Sequence, residues 1–153
     1  MRIDRLTVKS RDALSQAEAL ARRLSHQEVS SVHMLSALLD QEEGLVVPLL
    51  EKAGIGRAML RQALARALEQ RPKVRGGDTY LGQDLKEILD QAFTHADRLK
   101  DDYVSTEHFL LAMVERSKSQ AGRVLCEGGL NGDLLRQALM ELRGNQRVTD
   151  HDP

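Results

Sequence analysis

The sequence predicts an all-α protein of eight helices, built as a tandem, pseudo-two-fold duplication of a four-helix unit. Three observations carry this. Leu and Ala are abundant while aromatics make up only 3% and prolines number 3, a composition that suits helices rather than a sheet. The stretch Val29 to Leu39, V-S-S-V-H-M-L-S-A-L-L, returns 75 residues later as V-S-T-E-H-F-L-L-A-M-V, Val104 to Val114. The same offset then holds without a gap over 56 positions, Ala13–Leu68 against Ile88–Arg143, with 18 identities that include His33/His108 and Gly54/Gly129. Composition alone would not keep register across caps, loops and glycines, so the match marks a duplication.

Each element follows from its local pattern. Thr7 is an N-cap candidate, and Leu14, Ala17, Ala21 and Leu24 form a helical stripe behind it, ending near Ser25-His26. Ser30-Ser31 caps a second helix that is apolar nearly all round, so it must be buried on most sides, as the central helix of its own small bundle. Glu42-Glu43-Gly44 breaks it. A short third helix carries Pro48 in its first turn and stops at Ala53-Gly54. The fourth presents Leu60, Ala63, Leu64, Ala67 and Leu68 on one face and runs out at Arg71-Pro72. The second half repeats the plan: a fifth helix striped by Leu89, Ala92, Ala96 and Leu99, a buried sixth behind Ser105-Thr106, a short seventh before Gly128-Gly129, and an eighth striped by Leu135, Ala138, Leu139 and Leu142. The resulting division is 1–70 for the first repeat, 71–82 for an aperiodic connector, 83–144 for the second repeat and 145–153 for a polar tail read as a frayed linker.

Several function classes find no support. The net charge of −1 arises from 22 basic and 23 acidic residues mixed along the chain, without aromatics interleaved among the basic ones, which gives no footprint for nucleic acid or a membrane surface. No apolar run reaches bilayer length and the amino end has no signal-peptide core. One cysteine excludes an internal disulfide and fits a cytoplasmic location. A phosphate loop, H-E-x-x-H, G-x-S-x-G and C-x-x-C are all missing, and Cys126 has no identifiable base, so no cofactor or metal is expected. The matched His33 and His108 sit just inside helix caps, where an imidazole closes the first turn. The carboxylates Asp101, Asp102 and Glu107 surround a loop expected to be exposed and solvated. A small helical enzyme would have to use those carboxylates or the two histidines.

The duplicated unit, with S-T-E-H-F-L-L-A opening its second central helix, resembles the Clp N-domain repeat found twice at the amino end of Clp-type AAA+ unfoldases. The opening M-R-I-D-R-L-T and the closing L-R-G-N-Q-R-V-T-D are similar in particular to the ClpB-type disaggregase branch. This resemblance implies a substrate-binding N-terminal module, itself no enzyme, that engages unfolded or aggregated polypeptide in a groove between the two repeats. The ATP and magnesium sites and the homohexamer would belong to absent modules, and the fragment would be a monomer. An adaptor protein is the alternative partner, as for the protease-linked Clp unfoldases. The resemblance places the groove at Thr7, Asp101, Tyr103 and Glu107, while Gln91, His95 and His108 stand where relatives can carry leucine. The repeat partners of Asp101, Tyr103 and Glu107 are His26, Glu28 and Val32, so the charge pattern is not duplicated. That divergence fits a ligand facing only one copy, and equally drift on a solvated loop.

Overall fold

The computed structural model describes residues 3–153; the first two residues of the expected first repeat lie outside the described residues. A single 3-10 turn, Ile3–Arg5, leads into helices α1 (Val8–Arg23), α2 (Ser31–Asp40), α3 (Val46–Lys52) and α4 (Arg57–Glu69). The second set is α5 (Gln83–Arg98), α6 (Thr106–Glu115), α7 (Gln120–Glu127) and α8 (Gly132–Arg143). Both ends of α1 and of α2 map onto α5 and α6 at the offset of 75. The left-handed turns match as well: Ser25 with Lys100 (φ 60° and 59°) and Gly54 with Gly129 (φ 80° and 101°). Ser25 and Lys100 are not glycines, so the turn after the first helix of each half is strained in the same place twice.

Side-chain caps start several helices. The Thr7 hydroxyl accepts from Ser10 N–H, Ser119 from Gly122 N–H and Asn131 from Leu134 N–H. The central helices are closed by histidine. Ser30 N–H donates to His33 Nδ1 at 2.9 Å, and Ser105 N–H donates to His108 Nδ1 at 2.8 Å. Each imidazole thereby satisfies a backbone donor that the first turn would leave orphaned, as its position inside the cap predicted.

The two halves do not form separate bundles. One continuous core runs through both, with Leu35, Leu38, Phe109, Leu110 and Met113 at no measurable exposure. The third helix of each half packs on the fourth and on the central helix of the other half: α3 on α8 and α6, α7 on α4 and α2. The short third helices are too small to bury their own apolar faces, and the crossed arrangement covers them.

The halves also exchange backbone. Two-residue strands β1 (Glu28–Val29) and β2 (Tyr80–Leu81) pair in parallel, Val29 opposite Leu81. The bridge Leu6–Val104 is parallel too. These are one interaction made twice, since Leu6 corresponds to Leu81 and Val29 to Val104. The segment ahead of each first helix lies against the segment ahead of the other half's central helix. The stretch 71–82 is thus irregular only in part, its final residues being held by Gln27 and Val29 carbonyls.

Two further expectations change. Leu99 and Leu142, placed on buried stripes, are 41% and 40% exposed, Leu99 being the C-cap of α5 and Leu142 lying in the last turn of α8. The tail is not frayed: Val148 is buried, and its N–H and carbonyl are bonded to the loop before α6. Polarity and lack of period mark a segment without its own core, but not one without backbone partners.

Candidate functional site

Thr7, Asp101, Tyr103 and Glu107 come together where the two halves exchange backbone, at the junction of α1, α6, α8 and the tail. Thr7 N–H donates to Val104 C=O at 3.0 Å, Val104 N–H donates to Arg5 C=O at 2.7 Å, and Ser10 Oγ donates to the same Val104 carbonyl at 2.9 Å. Thr7 is therefore a buried cap residue, 1% exposed, pinned across the seam.

Asp101 follows the left-handed Lys100, a turn that directs its carboxylate inward instead of into solvent. It is buried, contrary to the solvated loop expected for it. Oδ2 accepts from His108 Nε2 at 2.7 Å, while Oδ1 accepts from Arg143 Nη2 at 2.5 Å and from Val148 N–H at 2.8 Å. Burial pushes this carboxyl up, but the bonds from His108, Arg143 and the Val148 amide outweigh it and hold the pKa at about 2. Because Ser105 N–H donates to His108 Nδ1, the imidazole carries its proton on Nε2 and donates it to Asp101.

Glu107 sits in the first turn of α6, where the helix dipole favours an anion. It too is buried. Oε2 lies 3.6 Å from Arg143 Nη1, and among the described residues Oε1 has no hydrogen-bond partner. Both carboxylates thus share one guanidinium. Tyr103 is half-buried, with its ring 6.2 Å from that of His151 and tilted 54°. Of the four candidate residues Glu107 alone lines the cavity of about 310 Å³ at this junction, together with Lys9, Leu45, Thr106, Arg143, Val148 and others; Thr7, Asp101 and Tyr103 do not reach it.

The matching place in the first half is chemically different. His26 replaces Asp101, and its Nδ1 lies 2.9 Å from His33 Nε2. Since Ser30 N–H donates to His33 Nδ1, His33 Nε2–H is the donor and His26 Nδ1 the acceptor, so both rings are neutral. Burial depresses His33 to about 4, helped by the Arg71 charge and by His26; burial and then the charges of Arg71 and Lys73 lower His26 as well. Glu28, the counterpart of Tyr103, is ion-paired with Arg71 at 2.5 Å, and Val32, the counterpart of Glu107, is simply buried. Of the leucine-substituted positions, His95 lies 3.0 Å from Glu115 and His108 is fully buried, so neither presents an imidazole to an open groove.

Two residues central to this junction were missed in the sequence. Arg143 occupies the position of Leu68 on the fourth-helix stripe, and a guanidinium on an apolar stripe is the signal that could have pointed to a buried carboxylate. Val148 is the sole apolar residue of the tail. Among the described residues no group of three His, Cys, Asp or Glu side chains could hold a metal, Cys126 is exposed, and no helix is long and apolar enough to cross a membrane.

Residues 5–127 match the model of the Clp repeat (R) N-terminal domain. The chain is 40% identical over 152 residues to the chaperone protein ClpB of Pseudomonas putida, covering 98% of this chain and 18% of that protein. It is 35% identical over 158 residues to ClpB of Bacillus anthracis, again across 18% of the relative's length. The chain therefore spans about a fifth of the curated relatives it matches. Its fold superposes on the Hsp104 N-terminal domain from Candida albicans with a TM-score of 0.84 at 22% identity, covering 95% of this chain and 96% of that one. A ClpV N-domain solved in complex with a VipB peptide matches at 0.79 with 24% identity, covering 96% and 92%. The duplicated unit, the exchanged strands and these matches agree: the chain belongs to the Clp repeat N-terminal domain family, and it is the amino-terminal part of ClpB-type chaperones that it resembles.

Proposed function

We propose that this domain is the polypeptide-binding module of a ClpB-type disaggregase, receiving unfolded or aggregated segments at the seam between the two repeats. The observation that carries this reading is the second-half junction. Among the described residues, only there does the duplicated framework bury two carboxylates, Asp101 and Glu107, on one guanidinium. The matching place in the first half also has a cavity, of about 450 Å³, and an exposed aromatic, Tyr80, but His26 and Val32 in place of the carboxylates. A requirement of folding acts on both copies alike, so the asymmetry fits a ligand on one side. Peptide binding by a ClpV N-domain supports the same class of partner.

In this reading the domain is not itself an enzyme. Asp101 is held ionised by three donors and Glu107 shares Arg143, which leaves neither placed as a free general base. ATP and magnesium would be bound elsewhere in a longer, homohexameric, cytoplasmic protein, with residues 145–153 leading towards its first ATPase module and the fragment alone being monomeric. The test is binding of a labelled, permanently unfolded protein to wild type, Tyr103→Ala and Glu107→Gln, with circular-dichroism melts in parallel. Weakened binding is expected of both variants, with unchanged melting for Tyr103→Ala and some loss of stability for Glu107→Gln, whose carboxylate is buried on Arg143. Binding is therefore compared where both are fully folded, and wild-type affinity in both would remove this surface. An adaptor would instead bind as a folded protein and leave the unfolded probe unbound.

A further inference from the structure

The tail already occupies the junction, and it does so largely through its backbone. Val148 N–H donates to Asp101 Oδ1 at 2.8 Å; Val148 C=O accepts from the amides of Asp102 at 2.8 Å and Tyr103 at 3.3 Å. Three residues on, His151 C=O accepts from Val8 N–H at 2.7 Å. The one side chain buried along this path is the Val148 isopropyl group, 6% exposed. The remaining tail side chains after Arg147 are exposed. Recognition by main-chain N–H and C=O groups with a single aliphatic anchor carries almost no sequence information, which is the chemistry a binder of many different unfolded chains requires.

The fit is also incomplete. Glu107 Oε1 and Arg143 Nη1 are both buried and, among the described residues, without a hydrogen-bond partner, at the cavity bounded by Val148, so the pair is open to a segment that offers an N–H and a carbonyl. A buried carboxylate oxygen without a donor costs free energy that a further N–H would recover. A segment satisfying Asp101 as the tail does, and Glu107 besides, would outbind it.

We propose that residues 146–151 act as a resident pseudo-ligand, and that an incoming flexible polypeptide with an aliphatic residue among polar ones displaces them. The incoming chain takes over the same four backbone contacts, at the Asp101 carboxylate and the amides of Val8, Asp102 and Tyr103. This rests on the polypeptide-binding reading and specifies its chemistry. An intramolecular competitor lowers apparent affinity in proportion to the fraction of time it is seated. Substrate arrival is thereby coupled to release of the segment that leaves the domain.

Hydrogen exchange by nuclear magnetic resonance on the full chain tests this, with a labelled permanently unfolded protein as probe. At saturation the Val148 amide should lose protection while those of Val8, Asp102 and Tyr103 keep theirs. Val148→Gly removes the anchor, and should tighten binding of the probe by roughly threefold to tenfold, the factor expected when a seated competitor is released. Unchanged Val148 protection with equal affinity in both proteins would overturn the pseudo-ligand and leave the binding site standing. Failure of wild type and variant alike to bind the probe would remove the binding reading and this one together. Binding by the variant alone would support both.

Discussion

His108 Nε2 donates to Asp101 at 2.7 Å in the place where His33 Nε2 donates to His26 at 2.9 Å. The two bonds are the same element of the duplicated framework with different acceptors, a carboxylate in one half and a neutral imidazole in the other. An imidazole acceptor is lost on protonation in mild acid; this carboxylate, at about 2, is not.

The first consequence is acid lability of the first half. The folded pKa of His33 is depressed from 6.5 to about 4 and that of His26 is also lowered, so the unfolded chain binds more protons in this range. Stability contributed by the pair is complete above pH 6.5 and declines as pH falls towards 4. Urea melts at pH 7.5 and 4.5 should differ by roughly 1–3 kcal/mol from this source. His26→Asp, which copies the second half, should shrink the difference; equal stability at both pH values would contradict the assignment of neutral rings.

Asp101→Ala should destabilise strongly. It leaves the largely buried Arg143 guanidinium, His108 Nε2–H and the Val148 amide without their acceptor, a loss of about 3–5 kcal/mol by analogy with other broken buried pairs. Thermal and denaturant melts decide it. A loss under about 1 kcal/mol would mean that water replaces the carboxylate freely.

Leu35 and Leu110 are matched positions on α2 and α6 with no exposure. Leu35→Ala and Leu110→Ala should each cost about 2–5 kcal/mol, with unfolding remaining a single transition because the core is shared. Two separate transitions in either variant would show that the halves are independent folding units.

Gly122 lets α7 approach the end of α6. A Cβ there would stand 2.2 Å from Arg116 C=O and 2.6 Å from Met113 C=O, contacts with backbone that a rotamer change cannot relieve. Gly122→Ala should therefore cost at least about 1–3 kcal/mol despite alanine's higher helix propensity, as read from the denaturant midpoint. A stabilised variant would show that α7 shifts without penalty.

The sequence by itself determined what is local and what is repeated. Helix type and extent, the caps at Thr7, Ser30 and Ser105, the turn-closing roles of His33 and His108, and the duplication all follow from short-range spacing and a register of 75 residues. Period and capping chemistry act within a few residues, so they are visible in the order of residues alone. Only the tertiary structure decided how the halves interlock. The exchange of Leu6 with Val104 and of Val29 with Leu81 depends on backbone groups that every residue carries, and no side-chain pattern announces it. The same holds for the tail, held mainly by the Val148 amide on the Asp101 carboxylate and by the carbonyls of Val148 and His151 on the amides of Asp102, Tyr103 and Val8. Asp101 looked solvated because its neighbours are polar, yet a left-handed Lys100 turns it inward onto Arg143, 42 residues away. Burial of a charge is settled by a distant partner of opposite sign, and that partner's position exists only once the chain has folded.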